Sequence, residues 1–109
     1  IIGLPFETDE MIYKSAEFVA KHNVGGIKFH LLHVLKNTDL EKEWQAGKFD
    51  CLELEEYGEI LKKCISLLPK ETVVHRITGD GDKKTLIAPL WTADKKKVLN
   101  YLNKILKTT

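Results

Sequence analysis

Hydrophobic and polar positions alternate along the first half of the chain in a way that predicts strand, helix and strand. The opening apolar stretch, residues 1–4, predicts the end of a buried strand. A helix is predicted after Thr8, because a capping hydroxyl is followed by two acidic residues and then by apolar positions at helical spacing. The nearly continuous apolar run from Ile27 to Leu35 is typical of a central parallel strand.

The second half of the pattern predicts three more helices and a further strand. Thr38-x-x-Glu41 is a capping box that predicts a short helix, and apolar positions between Leu54 and Leu68 predict a longer one. β-Branched residues alternate over residues 72–78 and predict a strand, whereas the proline-broken stretch 86–91 is left open. A last helix is predicted from about Asp94. Its inward positions should be Val98, Leu99, Leu102, Ile105 and Leu106.

Helices and strands that alternate in this order favour a parallel sheet covered by helices, which places the chain in the α/β class. With 109 residues, 43% hydrophobic and 30% charged, the chain has the size and composition of one soluble globular segment. No apolar run approaches the roughly 20 residues that span a bilayer, and no stretch is typical of a signal peptide. We therefore expect a cytoplasmic protein without a membrane partner.

Charge and cysteine content exclude several classes of function. The net charge is +1, from 17 basic and 16 acidic residues, so no overall field attracts nucleic acid. The lysines at 83–84 and 95–97 are interpreted as solvated surface. Two cysteines, Cys51 and Cys64, exclude a disulfide framework and are too few for a cysteine-only metal site. Asp80-Gly81-Asp82 is interpreted as a turn, because no further calcium-ligand spacing follows it.

Five short segments stand out as motifs. The first two are Ile2-Gly3-Leu4-Pro5-x-Glu7-Thr8 and, over residues 26–38, Gly-Ile-Lys-Phe-His-Leu-Leu-His-Val-Leu-Lys-Asn-Thr. The others are Leu54-Glu55-Glu56-Tyr57, Arg76-Ile77-Thr78-Gly79-Asp80-Gly81 and Ala88-Pro89-Leu90-Trp91. In this order they resemble the radical S-adenosylmethionine (SAM) superfamily. The closest branch is that of uncharacterised iron–sulfur oxidoreductases related to the Elongator catalytic subunit and to oxygen-independent coproporphyrinogen oxidase.

The resemblance implies one segment, residues 1–109, taken from the end of a longer protein. Residues 1–50 would be the last two parallel β/α units of a six-stranded partial TIM-like barrel, and residues 51–109 a strand–helix extension. Because the chain starts inside an apolar strand, we expect the missing amino-terminal half of the barrel to be its main partner. Exposed strand edges would otherwise favour self-association.

The resemblance also implies cofactors in the full-length parent: S-adenosylmethionine and a 4Fe-4S cluster held by a Cys-x-x-x-Cys-x-x-Cys loop. That loop is absent here, because Cys51 and Cys64 lie thirteen positions apart. We expect its cysteines upstream of Ile1, no metal or cofactor in this segment alone, and no activity without the rest of the protein. Two positions depart from the family pattern, since Phe6 and Asn37 stand where glycines are usual.

Strand alternation selects candidate binding residues in the second motif. Lys28, His30 and Leu32 should face the barrel interior, opposite Ile27, Phe29 and Leu31. His30, His33 and Lys36 lie nearest the carboxyl end of the strand, where barrel enzymes carry their sites. Two roles are open for His30. It binds cofactor or substrate, or its ring nitrogens form hydrogen bonds with neighbours inside a filled barrel. Three positions separate His30 from His33, which on a strand predicts opposite faces and no chelating pair.

Two further residues are candidates for cofactor or substrate binding. Arg76 suits bidentate contact with a carboxylate or phosphate, or a salt bridge that ties its strand to the barrel. Glu7 accepts hydrogen bonds from the next helix or faces the cofactor. The catalytic residues themselves are not identified.

Two functions remain open on the sequence alone. The first is the carboxy-terminal part of a radical SAM oxidoreductase of unknown substrate. The alternative is a non-catalytic α/β module that binds RNA or a protein partner through its lysines, which the nearly neutral charge disfavours.

Overall fold

The computed structural model describes residues 1–79 and 83–107 of the chain. Its helices are α1 (Asp9–Lys21), α2 (Asp39–Gln45), α3 (Leu54–Ser66) and α4 (Lys95–Leu106), with a 3-10 turn at Leu90–Ala93. Its strands are β1 (Gly26–Lys28), β2 (Val34–Leu35), β3 (Val73–Arg76) and β4 (Leu86–Ala88). The predicted mixture of helices and parallel strands is confirmed.

Parallel pairing organises the centre of the fold. β1 pairs in parallel with β3, so that Gly26 lies opposite Val73. On the other side of the same segment Ile2 forms a parallel bridge with Leu31. Two backbone hydrogen bonds, of 2.7 and 2.9 Å, join Ile2 to residues 30–32. The order across the sheet is therefore Ile2, the segment that contains β1, and β3.

The apolar run from Ile27 to Leu35 is not one strand, which corrects the prediction. The ladder between β1 and β3 shifts register after Ile27, and β1 ends at Lys28. β2 then pairs with β4 in the antiparallel direction, in a second small sheet. The chain has to leave the first sheet to reach this partner, so regular alternation stops between β1 and β2. The stretch left open by the sequence is β4, a cis Ala88–Pro89 peptide and the 3-10 turn.

Helices α1, α3 and α4 pack on one face of the central strands. The buried core consists of Ile2, Ile12, Ala16, Phe29, Leu31, Leu54, Tyr57, Ile60, Leu61, Cys64, Val98 and Leu102. On α4 the buried positions are Val98 and Leu102, one helical turn apart. Leu99 was predicted to face inward and is exposed instead, because it lies a third of a turn away from that stripe.

Candidate functional site

The loop after the opening strand keeps a backbone conformation that favours glycine. Gly3 has φ +96° and Phe6 has φ +65°. A left-handed conformation costs a non-glycine residue about 1–2 kcal/mol. The Phe6 side chain is 79% exposed, so the ring meets little steric resistance. Phe6 thus adopts a backbone conformation that glycine would adopt without this cost.

Asn37 follows the same rule at the start of α2. Its φ is +65°, a conformation that asparagine tolerates better than most residues, so an asparagine in place of glycine costs little here. The capping box differs in one detail. Thr38 Oγ1 accepts from the Glu41 amide at 3.2 Å, but the Glu41 carboxylate accepts from the amide of Asn37 rather than from that of Thr38.

Glu7 lies on the helix-facing side of the sheet. Together with Ile2, Phe29 and Cys64 it lines a cavity of about 280 Å³. Its Oε1 is buried and has no hydrogen-bond partner among the described residues. The first turn of α1 does not use this oxygen, because Thr8 Oγ1 accepts from the amide of Met11 there. Glu7 therefore offers a free acceptor, and it does so away from the face that carries His30.

His30 faces away from the helices. Its neighbours Phe29 and Leu31 are buried against the helical layer, whereas His30 is half-buried. Adjacent side chains of an extended segment point to opposite sides, so His30 belongs to the open face. This is the orientation that the alternation predicted.

His30 and His33 come together, contrary to the prediction that they lie on opposite faces. Both rings pack against Gly79, which directly follows the 76–78 segment. A Cβ placed on Gly79 would lie 3.2 Å from His30 Nδ1 and 3.3 Å from His33 Cε1. The period of two holds through the bridge at Leu31 and stops after it, because residues 32 and 33 belong to no strand.

The hydrogen bond of His33 defines the protonation of its ring. Its Nδ1 lies 2.9 Å from the carbonyl oxygen of Leu31, and a carbonyl can only accept, so Nδ1 is the donor. The pKa of His33 is lowered chiefly by burial, and His30 lowers it further, while the bond to Leu31 opposes both effects. A neutral His33 then presents Nε2 as its acceptor.

Lys36 and Arg76 are held by backbone pairing at different places. Lys36 is exposed after β2, and its amide donates to the Thr85 carbonyl at 2.7 Å. Arg76 is the last residue of β3, level with Lys28, and its carbonyl accepts from Phe29 at 2.8 Å. The structure thus joins His30 with His33 and distributes the other predicted residues around the strand ends.

Sequence reasoning missed the residues that support the histidine pair. Thr78 and Gly79 are buried, and Tyr57 on α3 donates its hydroxyl to the carbonyl of Ile77. Burial raises the pKa of Tyr57, which keeps the hydroxyl protonated. The available signal was that these residues lie within two of the five motifs.

An open cleft of about 700 Å³ lies beside the first turn of α3. It is bordered by Trp44, Cys51, Glu53, Pro89 and Trp91, among others. The indole of Trp91 donates to the Leu52 carbonyl at 3.0 Å. Trp91 thereby fixes one wall of the cleft.

The lysines at 95–97 form the first turn of α4, and Lys83 and Lys84 are exposed. Asp80-Gly81-Asp82, interpreted as a turn, lies outside the described residues. No helix in the part of the chain that the structure describes is long and apolar enough to cross a membrane.

An iron–sulfur cluster does not fit the residues of this chain. The chain has two cysteines. Cys64 lies in the core, and its burial is the main cause that raises the pKa of its thiol to about 11. Burial also raises the pKa of Cys51. Within residues 1–79 and 83–107 no group of three or more histidine, cysteine or acidic side chains could hold a metal ion. No step of a reaction is therefore assigned to a cluster within this chain.

Comparison with known proteins gives consistent matches. Residues 24–108 match the family described as the radical SAM C-terminal domain. The uncharacterized protein YtqA of Bacillus subtilis is 41% identical over 107 residues, which cover 98% of this chain and 33% of YtqA. Protein YhcC of Escherichia coli K12 is 38% identical over 91 residues, which cover 84% of this chain and 29% of YhcC. The chain thus spans about a third of the length of these curated relatives.

A solved structure shows the same fold. An archaeal Elp3 from Methanocaldococcus infernus, with residues 1–46 deleted, superposes with a TM-score of 0.72 at 22% identity. The match covers 95% of this chain and 25% of that one.

Proposed function

The chain belongs to the radical SAM C-terminal domain family, and we propose on this basis that it is the carboxy-terminal part of a radical S-adenosylmethionine oxidoreductase. Its contribution is the last part of the barrel wall, on the side of cofactor and substrate. The protein acts in the cytoplasm, and its substrate is not defined by these residues.

The observation that carries the proposal is the asymmetry of the parallel segment 26–31. Phe29 and Leu31 are buried in the core beneath the helices, whereas His30 between them is half-buried and faces the other side. In a barrel whose helices lie outside, the second face is the interior. A polar interior near the carboxyl ends of the strands is where a barrel enzyme binds its ligands.

The residues of this chain bind and orient rather than perform the radical step. S-adenosylmethionine and a 4Fe-4S cluster supply that chemistry in the full-length protein, with the cluster ligands outside this chain. His30 and His33 contact cofactor or substrate at the strand end, and Lys36 and Arg76 add positive charge nearby. Glu7 lies on the opposite, helix-facing side, where its buried Oε1 borders a cavity, and it is given no role in that contact.

That amino-terminal half is the proposed partner. Ile1 and Leu4 are exposed beside Ile2, and on α1 Met11 and Phe18 are exposed as well, two turns apart. Apolar side chains clustered at a strand edge and along one helix are typical of a surface that another part of the protein covers.

In the experiment that tests this proposal, the amino-terminal part and the 109-residue segment of the full-length protein are produced as separate polypeptides. The amino-terminal part is produced alone, its cluster is reconstituted, and cleavage of S-adenosylmethionine is measured with and without this 109-residue segment. The segment should bind and raise cleavage, and a His30→Ala segment should bind equally but restore less. Lys48→Ala, at an exposed position, is the matched control. Full cleavage by the amino-terminal part alone would overturn the proposal.

A further inference from the structure

Gly79 lies where the segment after β3 meets the segment between β1 and β2. It follows β3, it is buried, and the rings of His30 and His33 pack directly on it. A methyl carbon placed on Gly79 would lie 3.2 Å from His30 Nδ1, 3.3 Å from His33 Cε1 and 3.7 Å from His33 Nδ1. Distances of 3.2 and 3.3 Å are tighter than nine in ten real Cβ contacts, so both rings would have to move by a few tenths of an ångström.

Glycine is required at position 79 because there is little space for a side chain, not because of the backbone conformation. Its φ lies outside the left-handed range, in contrast to Gly3 and Gly47. An alanine at position 79 would therefore keep the backbone and push against the imidazoles. Because both rings contact the same point at Gly79, a displacement of either ring would change how the two rings lie relative to each other.

The segment that carries Gly79 is itself fixed from the helical layer. The hydroxyl of Tyr57 donates to the carbonyl of Ile77, two residues before Gly79. Tyr57 is fully buried on α3, so it cannot move without disturbing the core. A glycine that follows an anchored residue and faces two half-buried rings is suited to support those rings.

We propose that Gly79 is a positioning residue. Because it has no side chain, it provides the space in which the His30 and His33 rings lie together, and it thereby fixes the two imidazoles relative to each other. The effect of this arrangement on turnover rests on the proposed function. The arrangement of the two rings itself is independent of it. The hydrogen bond from His33 Nδ1 to the Leu31 carbonyl belongs to the same arrangement, because it requires the ring to stay where Gly79 leaves room.

The test uses histidine tautomers in the full-length protein, labelled with ¹⁵N-histidine and assigned with His30→Gln and His33→Gln. Wild-type His33 should be the Nδ1–H tautomer, and both rings should show proton cross-relaxation to Gly79 Hα. Gly79→Ala should shift the His33 nitrogens toward the Nε2–H form or a mixture. Gly25→Ala, with nothing within 4 Å of its added methyl, should leave them unchanged.

Each outcome decides the proposal. Absence of cross-relaxation in the wild type, or unchanged nitrogen shifts of both histidines in Gly79→Ala, would overturn it. The wild-type measurement decides even where Gly79→Ala does not fold. Cleavage of S-adenosylmethionine is measured on the same preparations: a wild type that shows the pair but no cleavage refutes the proposed function and leaves the positioning role standing.

Discussion

The hydroxyl of Tyr57 on α3 donates a hydrogen bond to the carbonyl oxygen of Ile77, just beyond β3. This bond links the helical layer to the segment on which His30 and His33 pack. Since Tyr57 is fully buried, water cannot replace the donor readily if it is removed. A core residue, Tyr57, therefore fixes the segment that contacts the two histidines of the candidate site.

Tyr57→Phe should destabilise the protein by about 1–3 kcal/mol, the cost of leaving a buried carbonyl without its donor. Urea unfolding gives the free energy of unfolding of both proteins. Tyr101→Phe is the matched control, because the Tyr101 hydroxyl makes no hydrogen bond within residues 1–79 and 83–107. An equal effect of the two substitutions would show that the Tyr57 hydroxyl bond adds nothing.

Gly58 sets how closely α3 and α4 approach. A Cβ on Gly58 would lie 2.7 Å from Ile105 Cδ1 and 3.1 Å from Tyr101 Cε1. Gly58→Ala should therefore lower the free energy of unfolding by about 1 kcal/mol, because overpacking outweighs the better helix propensity of alanine, although the end of the Ile105 side chain can move. The double variant Gly58→Ala/Ile105→Val removes Cδ1 and should lose less than the sum of the two single variants. Strict additivity in thermal or urea unfolding would contradict this contact.

The pH dependence of stability should contain a contribution from His33. Burial, aided by His30, lowers its folded pKa below the ordinary 6.5. As the pH falls through 6.5, the unfolded chain therefore takes up a proton before the folded chain does, and the free energy of unfolding decreases. Above about pH 7 this contribution is constant.

Unfolding of wild type and His33→Gln between pH 7.5 and pH 5 measures this contribution. The variant should lose less stability on acidification than the wild type. His22→Gln, at an exposed histidine on the end of α1, is the control and should follow the wild type. Parallel pH curves for wild type and His33→Gln would mean that His33 is not held neutral by the fold.

Local signals in the sequence were sufficient for much of the fold. The caps at Thr8 and Thr38 act through the hydroxyls that the pattern indicated, and the alternation of Phe29, His30 and Leu31 gives the correct faces. These features depend on neighbours in the chain, so spacing is enough to predict them.

The histidine pair and β4 could not be predicted in this way. His30 and His33 meet because the strand stops and because Gly79, distant in sequence, leaves space for both rings. β4 exists because β2 provides an antiparallel partner, and a three-residue strand next to a proline has no periodicity of its own. Contacts between distant segments decide both features, and a single pattern of apolar positions does not encode them.

The isolated 109-residue chain should self-associate. Met11 is 54% and Phe18 65% exposed on α1, which follows the strand edge at Ile2 that the rest of the barrel is proposed to cover. Light scattering should show dimers or larger species that increase with concentration. The double variant Met11→Lys/Phe18→Lys should shift the chain toward monomer, whereas Leu90→Lys, on a different surface, should not. A wild-type monomer over a wide concentration range would argue against a covered surface here.

The most direct measurement is anaerobic reconstitution with iron and sulfide of the full-length protein and of this chain, followed by incubation with S-adenosylmethionine and a reductant. The full-length protein should turn brown, hold one 4Fe-4S cluster and release 5′-deoxyadenosine, and this chain alone should stay colourless because two cysteines cannot hold the cluster. A full-length protein that takes up no cluster, or a cluster bound by the 109 residues alone, would contradict the account.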